Sequence, residues 1–269
     1  MQDESTLDDA LAMMRDLRAR CDWDHAQTHQ SLRPYLIEEM HELDEAIRRG
    51  EPAAMRDELG DVLLQVLFHS VIAEEAGSFD AGGVASALIA KMRRRHPHLY
   101  SGGTREAWEA MKAKTREAID QGLPPGLPSL HRAHRLQERA AGVGFDWSDT
   151  AGPAAKVAEE LDEVRALLAT QPPAAMTAGG EPLPRSDPQH AELEVELGDL
   201  LFAVVNLCRR AGVHASVALD RATDKFVRRF GAMERLARER GLAPGAATLE
   251  ELDALWNEVK REERARVEG

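Results

Sequence analysis

Apolar positions along the chain recur at intervals of three and four, as in Leu36, Met40, Leu43 and Ile47. That is the period of amphipathic helices, whereas strands alternate at two. Short β-branched patches such as Val204-Val205 are exceptions. The pattern predicts an all-α protein. Breakers interrupt it twice. The run Leu123-Pro124-Pro125-Gly126-Leu127-Pro128 reads as a linker, and the Pro- and Gly-rich stretch 170–189 as a loop between helices. An N-terminal helical domain over 1–122 and a C-terminal one over 129–269 follow from this division.

The two halves carry the same landmarks in the same order. Each opens with Asp-Trp, at Asp22-Trp23 and Asp146-Trp147. An acidic helix follows, Glu38-Glu39-x-x-Glu42 in one and Glu159-Glu160-x-x-Glu163 in the other. Next, Glu58-Leu59-Gly60-Asp61-Val62-Leu63-Leu64 is echoed by Glu196-Leu197-Gly198-Asp199-Leu200-Leu201-Phe202. Lys91-x-x-Arg94-Arg95 is matched by Lys225-x-x-Arg228-Arg229, and Trp108-x-x-x-Lys112 by Trp256-x-x-x-Lys260. Five ordered coincidences make the chain a tandem duplication of one helical unit, with the 170–189 loop lengthening the second copy only.

At 3.6 residues per turn, acids three apart share a helix face. Glu39 and Glu42, Glu58 and Asp61, Glu160 and Glu163, and Glu196 and Asp199 therefore form paired carboxylates, two pairs per copy. A single Glu-x-x-Glu in an acidic chain is ordinarily a solvated face. Here the Glu-x-x-Asp pairs recur inside apolar sequence, so the helix is expected to be largely buried where they lie, and buried acids need partners. Hard carboxylate oxygens without Cys or His suit Mg²⁺ or Mn²⁺, and magnesium is normally completed by substrate phosphates. Gly60 and Gly198 recur between the acids at a cost to the helix, either for close helix packing or as room for a metal or ligand. Glu38-x-x-His41 has the spacing of a carboxylate-bridged iron site, but no second Glu-x-x-His accompanies it, and Asp162 stands where His41 would repeat. On the basic side, Lys91 with Arg95 and Lys225 with Arg229 share faces, offering point charges and forks to polyphosphate oxygens. Trp-x-x-x-Lys sets an aromatic plate one turn from a cation, which suits a nucleobase and its phosphates.

Composition narrows the classes. Phe, Trp and Tyr fill only 12 positions (6, 4 and 2), against aromatic-rich sandwiches or barrels. Asp plus Glu outnumber Lys plus Arg by 47 to 34, a net charge of −13 that disfavours nucleic acid and anionic membrane as partners. Cys21 and Cys208 form no metal or disulfide pattern, and the acidic N-terminus and interrupted apolar runs encode neither export nor a membrane span, so a cytoplasmic location is expected. Each copy is too small to cover its apolar faces comfortably, which predicts dimerisation or packing of one copy on the other.

The acidic motifs, followed by Lys-Phe-x-x-Arg-Phe and Trp-x-x-x-Lys, resemble the MazG nucleoside triphosphate pyrophosphohydrolases. The resemblance extends to Arg94-Arg95-His96-Pro97-His98 and Val143-Gly144-Phe145-Asp146-Trp147. It implies a tandem all-α NTP pyrophosphatase fold, a homodimer, and Mg²⁺-dependent hydrolysis of (d)NTPs to (d)NMP and pyrophosphate, with metal-activated water attacking the α-phosphorus. By position it implies Glu160, Glu163, Glu196 and Asp199 as metal ligands and Glu159 as an adjoining acid, with Glu159, Glu160 and Glu163 the candidate bases. Lys156, Lys225, Arg229, Trp256 and Lys260 become substrate-binding, Lys225 and Arg229 also stabilising developing charge. In the first copy the ligands are Glu39, Glu42, Glu58 and Asp61, and the substrate-binding set is Lys91, Arg95, Trp108 and Lys112. The copies differ at Tyr35 against Lys156 and at Phe68 against Asn206, which favours the second as the principal active site. Thr223 stands where the family often has Asn, which leaves base preference open. The rival expectation is a degenerate duplication that binds metal, nucleotide or a partner protein without turnover.

Overall fold

Helix boundaries follow local signals. Thr6 and Asp9 form a reciprocal capping box that starts α1 (Leu7–Arg20). The short α2 (Asp22–Ala26) leads to α3 (Arg33–Arg49) and α4 (Pro52–Glu75), then α5 (Ala81–Arg95) and α6 (Pro97–Tyr100). Asp80 caps α5 by accepting from the Gly83 amide at 2.7 Å. Between α3 and α4 only Gly50 and Glu51 intervene. Gly50 adopts φ 67°, a left-handed cap that glycine alone takes without strain, and Pro52 starts the next helix. The result is an antiparallel α3–α4 pair. The second unit contains α7 (Ser129–Ala141), α8 (Ala151–Thr170), α9 (Pro188–Arg210), α10 (Ala215–Glu239) and α11 (Leu249–Glu268). This computed structural model describes residues 5–102, 116–170, 188–242, 245 and 247–268. The described residues form helices and turns with no strand, as the apolar periodicity predicts.

The chain forms two compact units, residues 1–105 and 106–269. In the first, Met14, Leu32, Phe68 and Val71 make the core between α1, α4 and the segment entering α3. Arg18 is buried beside it. Its guanidinium donates to the carbonyls of Asp24, His25 and Gln27, pairs with Glu75, and lies over the Phe68 ring at 5.8 Å from the centroid. One side chain thereby ties α1, α2 and α4 together and satisfies carbonyls that would otherwise lose their partners.

In the second unit α8 and α9 form the most extensive helix pair, and α10 pairs with α11 around Met233, Ala237, Leu255 and Val259. Helix α7 docks on α9 and α10. Gln137 Nε2 donates to the Phe202 carbonyl at 2.8 Å, and Arg139 Nη1 donates to the carbonyls of Ile119 and Gln121 at 2.6 and 3.0 Å.

The apolar sequence around the Glu-x-x-Asp motifs is less buried than its composition suggests. Leu59 is 50% exposed, and Leu64, Leu197, Leu201 and Phe202 are exposed as well. A helix pair has an inner and an outer face, and helical periodicity does not distinguish a face covered by its own unit from one left for another layer. Gly60 and Gly198 likewise stand in open space, where a Cβ would meet nothing within 4 Å. Close packing within the unit is therefore not what these glycines serve. No described helix is long and apolar enough to cross a membrane.

Candidate active site

In the first unit, α3 brings Glu39 and Glu42, and α4 brings Glu58, so that one carboxylate oxygen from each lies within 4.8 Å of the others. Asp61 falls outside that trio but still acts on it. Burial, followed by the charges of Asp61, Glu42, Glu38 and Glu58, holds the Glu39 carboxyl above the usual range. Burial first, then Glu42 and Asp61, does the same to Glu58. Like charges with too little compensating cation produce such shifts. Beside the trio is a cleft of about 470 Å³ whose lining includes Glu38, His41 and Glu45. His41 is exposed there and outside the trio, so no di-iron set forms among the described residues.

The second unit repeats the arrangement with a different balance. Glu160 from α8 and Glu196 and Asp199 from α9 converge within 4.8 Å. Glu160 is the buried member, at 5% exposure. Glu163, one turn on, is exposed and lies outside the trio, although it hydrogen-bonds Glu160. That bond, burial and the Glu160 and Glu196 charges push its carboxyl up. Lys156 has no counterpart in the first unit, where Tyr35 occupies its position. Its ammonium lies 2.6 Å from Glu160 Oε1 and 2.8 Å from Glu159 Oε1. That pairing holds Glu160 below the usual carboxylate range, and the two acids push Lys156 up in turn.

The expected cationic and aromatic set occupies a different helix pair. Lys225 and Arg229 stand on α10, and Trp256 and Lys260 on α11. Trp256 packs against Phe226 at 5.6 Å between ring centroids. Arg229 Nε donates to Glu263 at 2.6 Å and Arg228 Nη2 to the same carboxylate at 2.8 Å, a pairing that the sequence spacing does not reveal. None of Lys225, Arg229 or Lys260 is among the charges acting on Glu160 or Glu163. In the first unit Lys91 is exposed and Arg95 half-buried on α5, while Trp108 and Lys112 lie outside the described residues.

Trp147, only a landmark in the sequence, belongs to this region. A Cβ on Gly152 would fall 2.0 Å from Trp147 Cδ1, so the indole lies directly on the first turn of α8, one turn before Lys156. Asp146, the residue before Trp147, pairs with Arg209 of α9 at 2.5 Å, and Arg209 also donates to Asn206 at 3.0 Å. The clue in the sequence is the small residue five positions after the tryptophan.

Among the described residues, which are helical without strands, two helix pairs each bring three carboxylates together with no Cys or His in the group, a donor set of the kind that suits a divalent cation. The profile of the MazG nucleotide pyrophosphohydrolase domain matches the chain twice, over residues 27–100 and 153–232. The chain belongs to this family. It is 39% identical to the nucleoside triphosphate pyrophosphohydrolase of Escherichia coli K12, with 94% of this chain and 95% of the relative aligned. It is 41% identical to the nucleoside triphosphate pyrophosphohydrolase/pyrophosphatase MazG of Thermotoga maritima, over the same shares. A further relative, the uncharacterized protein YabN of Bacillus subtilis, is 38% identical across 94% of this chain and 51% of its own length.

Proposed function

We propose that the chain hydrolyses nucleoside triphosphates to monophosphates and pyrophosphate, using Mg²⁺ and with its second copy as the principal active site. The observation that carries this reading is the carboxylate trio formed on paired helices in both matched domains. The donor set suits a hard cation: oxygen ligands only, with burial first and neighbouring carboxylates second raising Glu39 and Glu58 in the first copy. Glu160, Glu196 and Asp199 would hold the metal, with Glu163 adjoining. Bound there, Mg²⁺ supplies charge neutralisation for the phosphates and acidifies a water ligand.

The remaining steps fall to side chains. Glu159, Glu160 and Glu163 line one stretch of α8 and are the groups available to take a proton from the attacking water. Lys225, Arg229 and Lys260 offer cations for the charge that develops as pyrophosphate leaves. These cations stand on the α10–α11 pair, whereas the carboxylates stand on α8 and α9. A homodimer in which that pair of one subunit reaches the acids of its partner would unite them and cover Leu197, Leu201 and Phe202. Light scattering on the eluted protein should then give close to twice the chain mass of 29.7 kDa, and a monomer would refute the dimer. A role in clearing nucleotides in the cytoplasm accords with this chemistry.

The activity is tested by incubating the protein with Mg²⁺ and each common NTP and dNTP and resolving the products. NMP plus pyrophosphate is expected. NDP plus phosphate would mean a different reaction class, and nucleotide binding without turnover would mean a binding module.

A further inference from the structure

The two copies present nearly the same acids but neutralise them differently. Glu39 of the first copy faces Asp61, Glu42, Glu38 and Glu58, and the position four residues before it on α3 is Tyr35, which brings no charge. Glu160 of the second copy has Lys156 at that position, 2.6 Å away. Glu160 is only 5% exposed, so this carboxylate has little water to fall back on, whereas the Lys156 side chain is 41% exposed and can swing outward. A buried anion with one internal cation is already compensated before any metal arrives. The oxygen that joins the trio and the oxygen that holds the ammonium belong to the same carboxyl group.

We propose that Lys156 is a resident counter-cation of the second carboxylate cluster, which competes with a divalent ion for Glu160 until substrate phosphates draw the ammonium away. The proposal rests on the metal-site reading given above. Under it, metal alone binds the second copy weakly, and a polyphosphate relieves the competition by offering Lys156 a new anionic partner. The first copy has no such latch and takes metal unaided. Binding of metal and of triphosphate to the second copy is thereby coupled, and the coupling is reciprocal. Lys156 acts on the metal as a positioning residue, through Glu160.

The experiment measures Mn²⁺ binding to the full chain without nucleotide, by calorimetry and by electron paramagnetic resonance of the free ion. A Glu58→Ala background removes one of the three converging oxygens of the first site so that the second can be followed. Lys156→Met is expected to tighten Mn²⁺ binding about five- to tenfold, the scale on which a single charge-assisted hydrogen bond competes for one carboxylate. Lys156→Arg, which keeps the charge, should stay within about twofold of the parent. With an α,β-methylene triphosphate analogue present, the difference between parent and Lys156→Met should shrink to about twofold or less. The converse change, Tyr35→Lys in an Asp199→Ala background, should weaken metal binding at the first copy. Unchanged or weaker Mn²⁺ binding in Lys156→Met, while Asp199 remains required, overturns the latch and leaves the metal site standing. Mn²⁺ binding indifferent to Asp199→Ala overturns the metal-site reading and the latch with it.

Discussion

Replacing Asp199 by alanine is expected to lower pyrophosphate release by about a thousandfold or more, while Asp61→Ala costs less than about tenfold. Asp199 supplies one of three converging oxygens in the second copy, with Glu160 and Glu196. Removing it leaves two, one of them already engaged by Lys156. Asp61 stands outside the corresponding trio and acts on Glu39 and Glu58 only through its charge. Its removal should relieve repulsion there, letting both carboxyls fall back toward the usual range, without taking away a convergent ligand atom. Steady-state rates at saturating Mg²⁺ for the two variants decide the matter. Equal losses would refute the assignment of the principal site to the second copy.

Arg18→Ala should destabilise the first unit by about 3 kcal/mol, among the larger effects open to a single substitution. The carbonyls of Asp24, His25 and Gln27 lose their donor, and the Phe68 ring loses the guanidinium above it. Glu75 also loses its partner, but it is more than one-third exposed, so solvent absorbs much of that loss. Urea unfolding of the full chain reads the shift in midpoint, and hydrogen exchange at amides of α1, α2 and α4 localises it. The ion pair adds a pH dependence. Arg18 depresses the Glu75 carboxyl below its ordinary 4.5. The stability from the pair is therefore present above about pH 4.5 and is lost as pH falls through the lower folded value. Arg18→Met should flatten that acid limb, and an unchanged acid profile would show that the pair contributes nothing.

How much of the molecule is legible in its sequence depends on the kind of information involved. Helical class and the duplication are legible, because period and repeated landmarks are properties of the string itself. So are the carboxylate pairs, since a three-residue spacing fixes a shared face. Which acids converge is not. Asp61 and Glu163 satisfy the same spacing as their neighbours but fall outside the trios, because convergence depends on how the two helices are rotated against each other. Lys156 aligns with Tyr35 in sequence, yet its engagement with both Glu159 and Glu160 emerges only from side-chain positions. The apolar flanks of Glu58 and Glu196 have the composition of buried helix, and the structure exposes much of them. Hydrophobicity marks a face that seeks cover without naming what covers it.

The anchoring of Trp147 bears on how the duplication could diverge. The indole rests on Gly152 at the start of α8, and Asp146 grips Arg209 near the end of α9. Both ties lie at one end of an antiparallel pair, opposite the connection that leaves α8 at Thr170 and enters α9 at Pro188. The longitudinal alignment of Glu160 with Glu196 and Asp199 is thus set without reference to the length of that connection. In the first copy Gly50 and Glu51 suffice to link the equivalent helices. The second copy has many more residues there and still keeps its carboxylates in step.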